Sequence, residues 1–168
     1  MGAEFKLENL REVSKEPVAD IAVRSGKLKG TEIKGEEFLR AIDEFPILCI
    51  AASLSEGETV IREAEELRVK ESDRIATMAQ EIRKLGVEAV ELPDGLIIKG
   101  KDRLKGAVCN SHGDHRVAMA IIIAGLLAEG ETTVEDTDCI DTSFPGFMET
   151  LEGLMGKGFK GSRGRGIK

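Results

Sequence analysis

Two segments 73 residues apart repeat each other: FPILCIAASLSEGETVI (45–61) and AMAIIIAGLLAEGETTV (118–134). Each carries an apolar run that reads as a helix, then Glu-Gly-Glu-Thr, then a short strand. Gly57 and Gly130 are the expected helix terminators, and Thr-Val opens each strand. Helices that are apolar nearly all round have to be covered on every side, so a chain with two of them must place both inside. A second helix is expected after each strand, over Ser72–Leu85 and Phe144–Met155. The first copy continues with two strands, Glu88–Leu92 and Leu96–Lys99, joined through the turn Pro93-Asp94-Gly95. The unit reads βαβαββ, and the chain holds roughly two copies. The expected fold class is α/β (α+β), with helices inside and sheets outside in a barrel-like lobe. Ahead of the first copy, EFKLENL and ADIAVRSGKLKG read as the closing strand pair of an earlier unit. The expected organisation is therefore a partial unit over 1–34, units over 35–100 and 101–156, and a Gly- and cation-rich tail over 157–168 that is flexible or left by expression.

Composition narrows the classes of function. A net charge of −7 and a pI near 5.1 argue against a nucleic-acid partner held by general charge. With aromatics at 4% and no Trp or Tyr, base-stacking platforms are not expected either. The longest apolar run, Val117–Ala128, is too short to cross a membrane. Cys49, Cys109 and Cys139 are far apart and odd in number, which fits a reducing cytoplasm without a disulfide framework. No pair has zinc-ligand spacing, so no metal is expected from them.

Three polar clusters fall at helix starts: Asp43-Glu44, Lys70-Glu71-Ser72-Asp73-Arg74, and His112-Gly113-Asp114-His115-Arg116. Helix N-termini offer unpaired N–H groups and partial positive charge, which suit anions. Arg74 and Arg116 add planar forks that grip phosphate or carboxylate with two bonds. Arg68, Lys70 and Arg74 crowd a helix start that on its own would favour acids. If the repeats pack side by side, the clusters converge on one face and the cations serve an anionic ligand. Plainer readings stand beside this one. Asp43 and Asp73 are candidate helix caps. Lys70, Glu71 and Arg74 have the spacing of a solvated ion-pair face. His112 and His115 have the spacing of a metal pair without a third ligand. Ser111, Asp114 and His115 contain triad residue types, but adjacency in sequence does not make a triad. Cys49 reads as core.

The motifs LRVKESDR (67–74), DHRVAMA (114–120), TSFPGF (142–147) and IDEFPIL (42–48) resemble the EPSP synthases, the 5-enolpyruvylshikimate-3-phosphate synthases. A related enolpyruvyl transferase acting on UDP-N-acetylglucosamine shares the fold, but Lys-Glu-Ser-Asp-Arg with Asp-His-Arg fits the shikimate branch better. The match runs from about Gly2 to Gly156 and covers the C-terminal part of that enzyme, less than half of it. The family has two lobes of three βαβαββ units each, with the active site in the cleft between them. The resemblance implies that the N-terminal lobe, and most of the first unit of this one, lie outside the sequence. It also implies a cytoplasmic enzyme without a cofactor that joins shikimate 3-phosphate to phosphoenolpyruvate and releases phosphate.

Roles follow residue by residue from the resemblance. Asp43 would hold a ring hydroxyl and help remove its proton, and Lys70 would contact hydroxyls or assist that transfer. Glu71 would give a proton to the methylene carbon and later take one back. Arg74 and Arg116 would clamp the phosphate and carboxylate of phosphoenolpyruvate, with His115 beside that phosphate. Thr142 stands where some members carry a lysine, which removes one phosphate contact. Two readings result: a piece of a transferase, inactive alone, or a stand-alone anion-binding or interaction module reusing the fold. Uncovered helix surface is expected to drive self-association unless the strands at 5–10 and 19–29 fold over the gap.

Overall fold

The computed structural model describes residues 1–155, and the expected tail at 157–168 lies outside the described residues. The chain opens with a hairpin of β1 (Glu4–Val13) and β2 (Glu16–Arg24). A short strand β3 (Glu32–Ile33) and a short helix α1 (Gly35–Arg40) lead through a 3-10 turn at Ile42–Glu44 into α2 (Phe45–Ser53). Strand β4 (Glu58–Ile61), helix α3 (Arg74–Lys84) and the hairpin β5 (Glu88–Leu92) and β6 (Gly95–Lys99) complete one unit. The next has β7 (Leu104–Lys105), β8 (Val108–Asn110), α4 (His115–Leu127), β9 (Ala128–Glu129) and β10 (Thr133–Glu135). A 3-10 turn at Thr137–Thr142 and helix α5 (Phe147–Met155) follow.

The first unit is βαβαββ, with its strands in the order β3-β4-β6-β5. β3 runs parallel to β4, and β4-β6-β5 are antiparallel. One face of this sheet is buried through Ile61, Leu96 and Ile98, while Val90 on the other face is exposed. Helices lie against the buried face: Phe45, Cys49 and Ile50 of α2 and Val117, Ile121 and Ala124 of α4 join one core with Ile75, Met78 and Ile82 of α3. Among the described residues, then, helices are inside and sheets outside, the arrangement that all-round apolar helices demand.

The repeat reaches further than the motif that reveals it. Lys29 bridges Glu56 in parallel, and Lys105 pairs with Glu129 in the same way. Gly30 and Gly106 hold matching places, since a Cβ on either would stand 2.1 or 2.2 Å from the carbonyl oxygen of Glu58 or Glu131. LKGTEI (28–33) therefore corresponds to LKGAVC (104–109). This corrects the unit boundary at residue 35, because β3 pairs with β4 and belongs to the unit that follows. The signal was weak in sequence because each copy has only a few strand residues and the spacing to the helix differs.

The hairpin β1–β2 is longer than expected and stands by itself. Among the described residues, the hydrogen bonds of 4–24 are made within the hairpin. Phe5 pairs with Val23 and Leu7 with Ile21 on one face, and all four are exposed. These strands do not fold over the helices.

Candidate functional site

Three helix starts meet around one guanidinium. Arg74 is the first residue of α3, Asp114 caps α4, and Asp43 sits in the 3-10 turn before α2. Arg74 Nε donates to Asp114 Oδ2 at 2.8 Å, Nη2 to Glu71 Oε2 at 2.8 Å and Nη1 to Asp43 Oδ1 at 3.3 Å. Ser72 Oγ donates to Asp114 Oδ2 at 3.2 Å. From the first turn of α4, Arg116 reaches the Asp43 carbonyl at 3.2 Å and Glu44 Oε1 at 3.4 Å.

The cluster has a floor and a rim. The Arg74 and Asp114 side chains are 1% and 0% exposed, whereas those of Asp43, Glu71 and Arg116 are 51%, 47% and 33% exposed. Burial opposes the charge on Arg74, but the Asp114, Glu71 and Asp43 carboxylates together outweigh it and raise the guanidinium pKa. Burial likewise opposes the charge on Asp114, and the bonds from Arg74 and from the Val117 and Arg116 N–H groups hold its pKa below the usual carboxylate range. Beside the rim lies a cavity of about 210 Å³, with Asp43, Glu44 and Arg116 on its polar side and Ile47, Met119 and Phe147 on its apolar side.

The remaining expected residues have distinct places. Lys70 Nζ bonds Glu66 Oε1 at 2.6 Å, which raises its pKa. His115 is half-buried, and its ring makes no hydrogen bond among the described residues. Thr142 ends the 3-10 turn, exposed, and donates to the Cys139 carbonyl at 2.7 Å. It has no bond to the cluster. Arg74 does not present an open fork: it is buried and already held by three carboxylates, so a ligand must exchange with Glu71 or Asp43 to reach it.

The plainer readings also resolve. Asp73 caps α3 by accepting from Ala76 N at 3.0 Å, whereas Asp43 caps nothing. Arg68 bonds Asp73, Glu91 and the carbonyls of Leu92 and Pro93, so this cation braces the β5–β6 turn rather than facing a ligand. His112 turns to Glu81 at 3.0 Å. Ser111 Oγ donates to the Asp136 carbonyl at 2.5 Å and Asp114 is engaged with Arg74, so no triad forms. Cys49 is in the core. Among the described residues, no group of three or more His, Cys, Asp and Glu is placed to hold a metal, and no helix is long and apolar enough to cross a membrane.

Sequence reasoning missed Glu81, which is 0% exposed. A signal existed, since it falls three residues after Met78 and four before Leu85, on the apolar stripe of α3.

The family model for EPSP synthase (3-phosphoshikimate 1-carboxyvinyltransferase) matches residues 1–151. The 3-phosphoshikimate 1-carboxyvinyltransferase of Geobacter sp. (strain M21) is 56% identical over 155 residues, which are 92% of this chain and 36% of that protein. That of Pelotomaculum thermopropionicum is 58% identical over 156 residues, with the same shares. The structure of EPSP synthase from Acinetobacter baumannii superposes with a TM-score of 0.85 at 43% identity, covering 89% of this chain and 35% of that one. The enolpyruvyl transferase NikO from Streptomyces tendae, at a TM-score of 0.64 and 22% identity over 90% of this chain and 32% of its own, shares the fold. The chain thus spans about a third of the length of the relatives it matches.

Proposed function

The chain belongs to the EPSP synthase family, and from that premise we propose that it forms part of an enzyme that transfers the enolpyruvyl group of phosphoenolpyruvate to shikimate 3-phosphate. The observation that carries this reading is the meeting of three helix starts around Arg74, with Arg116, Glu71 and Asp43 at an open rim. Two anionic substrates need such cations, and proton transfer at carbon needs a nearby carboxyl.

In this reading the substrate hydroxyl attacks C2 of phosphoenolpyruvate while Asp43 accepts the hydroxyl proton, with Lys70 assisting. Glu71 gives a proton to C3, making a methyl group, and takes one back as the C2–O bond to phosphate breaks and phosphate leaves. Arg116 and His115 hold the phosphate, and Thr142 is read as a substrate-binding residue. Arg74 joins them once the phosphate or carboxylate of the ligand replaces Glu71 and Asp43 on its Nη groups. That exchange releases the Glu71 carboxyl from its bond to Arg74 Nη2, so that it can turn toward C3. The free thiols Cys49, Cys109 and Cys139 suit a cytoplasmic location.

A cleft enzyme with one wall loses both positioning and enclosure, each worth many kcal/mol. The chain alone is therefore expected to yield no product, and mixing it with a separately expressed N-terminal portion of a relative restores turnover. Product from the pure chain would overturn the split-site reading. Tight binding to another protein without rescue would favour a stand-alone interaction module.

We also expect the chain to self-associate when isolated. The four-residue apolar face of β1–β2 and a groove of about 480 Å³ lined by Ile47, Ile50, Leu54, Ile123 and Leu127 leave apolar surface open to a second copy. Sedimentation should show the mean mass rising above 18.2 kDa with concentration. A single species of that mass at high micromolar concentration would refute this.

A further inference from the structure

Helix α3 carries two carboxylate contacts to the loop Asn110–Asp114 that leads into α4. At its first residue Arg74 holds Asp114. Seven residues on, roughly 10 Å along the same helix, the buried Glu81 accepts from the Asn110 backbone N–H at 3.0 Å and meets His112 Nε2 at 3.0 Å. We propose that Glu81 is a positioning residue for the candidate site: through Asn110 and His112 it fixes the loop that delivers Asp114 to Arg74.

Other bonds shape the loop without reaching α3: Ser111 N–H donates to the Glu135 carbonyl at 3.2 Å, Ser111 Oγ to the Asp136 carbonyl at 2.5 Å, and Asp114 N–H to the Ser111 carbonyl at 3.1 Å. His112 adopts a left-handed backbone, φ 56°, which is uncommon for a residue other than glycine. Its N–H bonds Asn110 Oδ1 at 2.7 Å, and Gly113 N–H bonds Ser111 Oγ at 3.1 Å. Those bonds tighten the loop but do not attach it to α3. Glu81 does, and it is saturated there, since Lys84 Nζ adds bonds at 2.9 and 3.0 Å to the two carboxylate oxygens. Burial opposes its charge, yet His112, Lys84 and the Asn110 N–H together hold its pKa below the ordinary value. Both oxygens accept, so an amide in place of the carboxylate must turn its NH₂ toward another donor. With α3 rigid, releasing the loop at Glu81 loosens the Asp114 carboxylate at the other end.

The importance of Asp114 and Arg74 for activity rests on the proposed function, but the tether is testable without substrate. The readout is the Arg74 Nε–H resonance in ¹⁵N spectra of the 168-residue chain and its exchange with solvent. In Glu81→Gln and in His112→Ala, exchange should speed up roughly tenfold, while the backbone amides of α3 keep their protection. His112→Gln, which retains a donor at similar reach, should stay near the parent rate. If Glu81→Gln fails to fold, the two His112 variants decide, because His112 is exposed. Unchanged Arg74 exchange in folded Glu81→Gln and His112→Ala overturns the proposal, as does equal loosening in His112→Gln and His112→Ala.

Discussion

Replacing Asp114 with Ala is expected to destabilise the chain by about 3–5 kcal/mol, the usual cost of stranding a buried charge. Arg74 is 1% exposed, and Asp114 provides its most buried partner. The same carboxylate accepts from Arg116 N at 2.9 Å and Val117 N at 3.3 Å, so the α4 cap is lost as well. Urea unfolding of the variant measures the loss. Adding Arg74→Met should recover much of it, because an apolar side chain in place of a buried ion often costs little. If the double variant is as unstable as Asp114→Ala, the loss comes from the cap and not from the stranded charge. The pH dependence has a definite sign. The pKa of Asp114 is held below its ordinary 3.8 in the folded chain, so its contribution is complete above that value. It is lost as pH falls through the folded value, and Asp114→Asn should flatten that acid limb.

In the complemented enzyme, Glu71→Gln should lower kcat by about 10²–10⁴ with little change in KM for phosphoenolpyruvate. The amide keeps the shape and one bond to Arg74 but cannot move a proton. Arg116→Ala should instead raise that KM by roughly ten- to a hundredfold, the loss of charge-assisted bonds worth about 1.5–3 kcal/mol. Among the described residues Arg116 is held only by the Asp43 carbonyl and carboxylate and by Glu44, at 3.2–3.5 Å, so it can turn to a ligand without unfolding the rim. Steady-state kinetics with phosphoenolpyruvate varied separates the two. The same pattern in both variants would show that the acid and the clamp are wrongly divided.

The repeat and the helix starts were legible because periodicity and capping act locally. Phe45–Ser53, Glu88–Leu92 and Gly95–Lys99 fall where apolar spacing and the Pro93-Asp94 turn put them. The partners of Arg68 and Glu81 were not legible, because Pro93 and Asn110 are 25 and 29 residues away and composition carries no register. The meeting of Asp43, Arg74 and Asp114 was foreseen only as a consequence of repeats packing side by side. That Arg74 would be buried depends on which rotamers the three carboxylates allow. The Phe144–Met155 helix starts at Phe147, after a 3-10 turn whose Ile140 is buried. Apolar spacing alone does not distinguish that turn from helix.

The bare hairpin β1–β2 also bears on how the chain comes apart. Two strands alone are marginally stable in water, and those of 4–24 draw on no bonds from the rest of the described chain. Their amides should open and close in a motion of their own, while those of α2 and α4 wait for the whole core to open. A denaturation curve followed through the helices is therefore silent about the first two dozen residues, and the chain has two cooperative parts where its length suggests one.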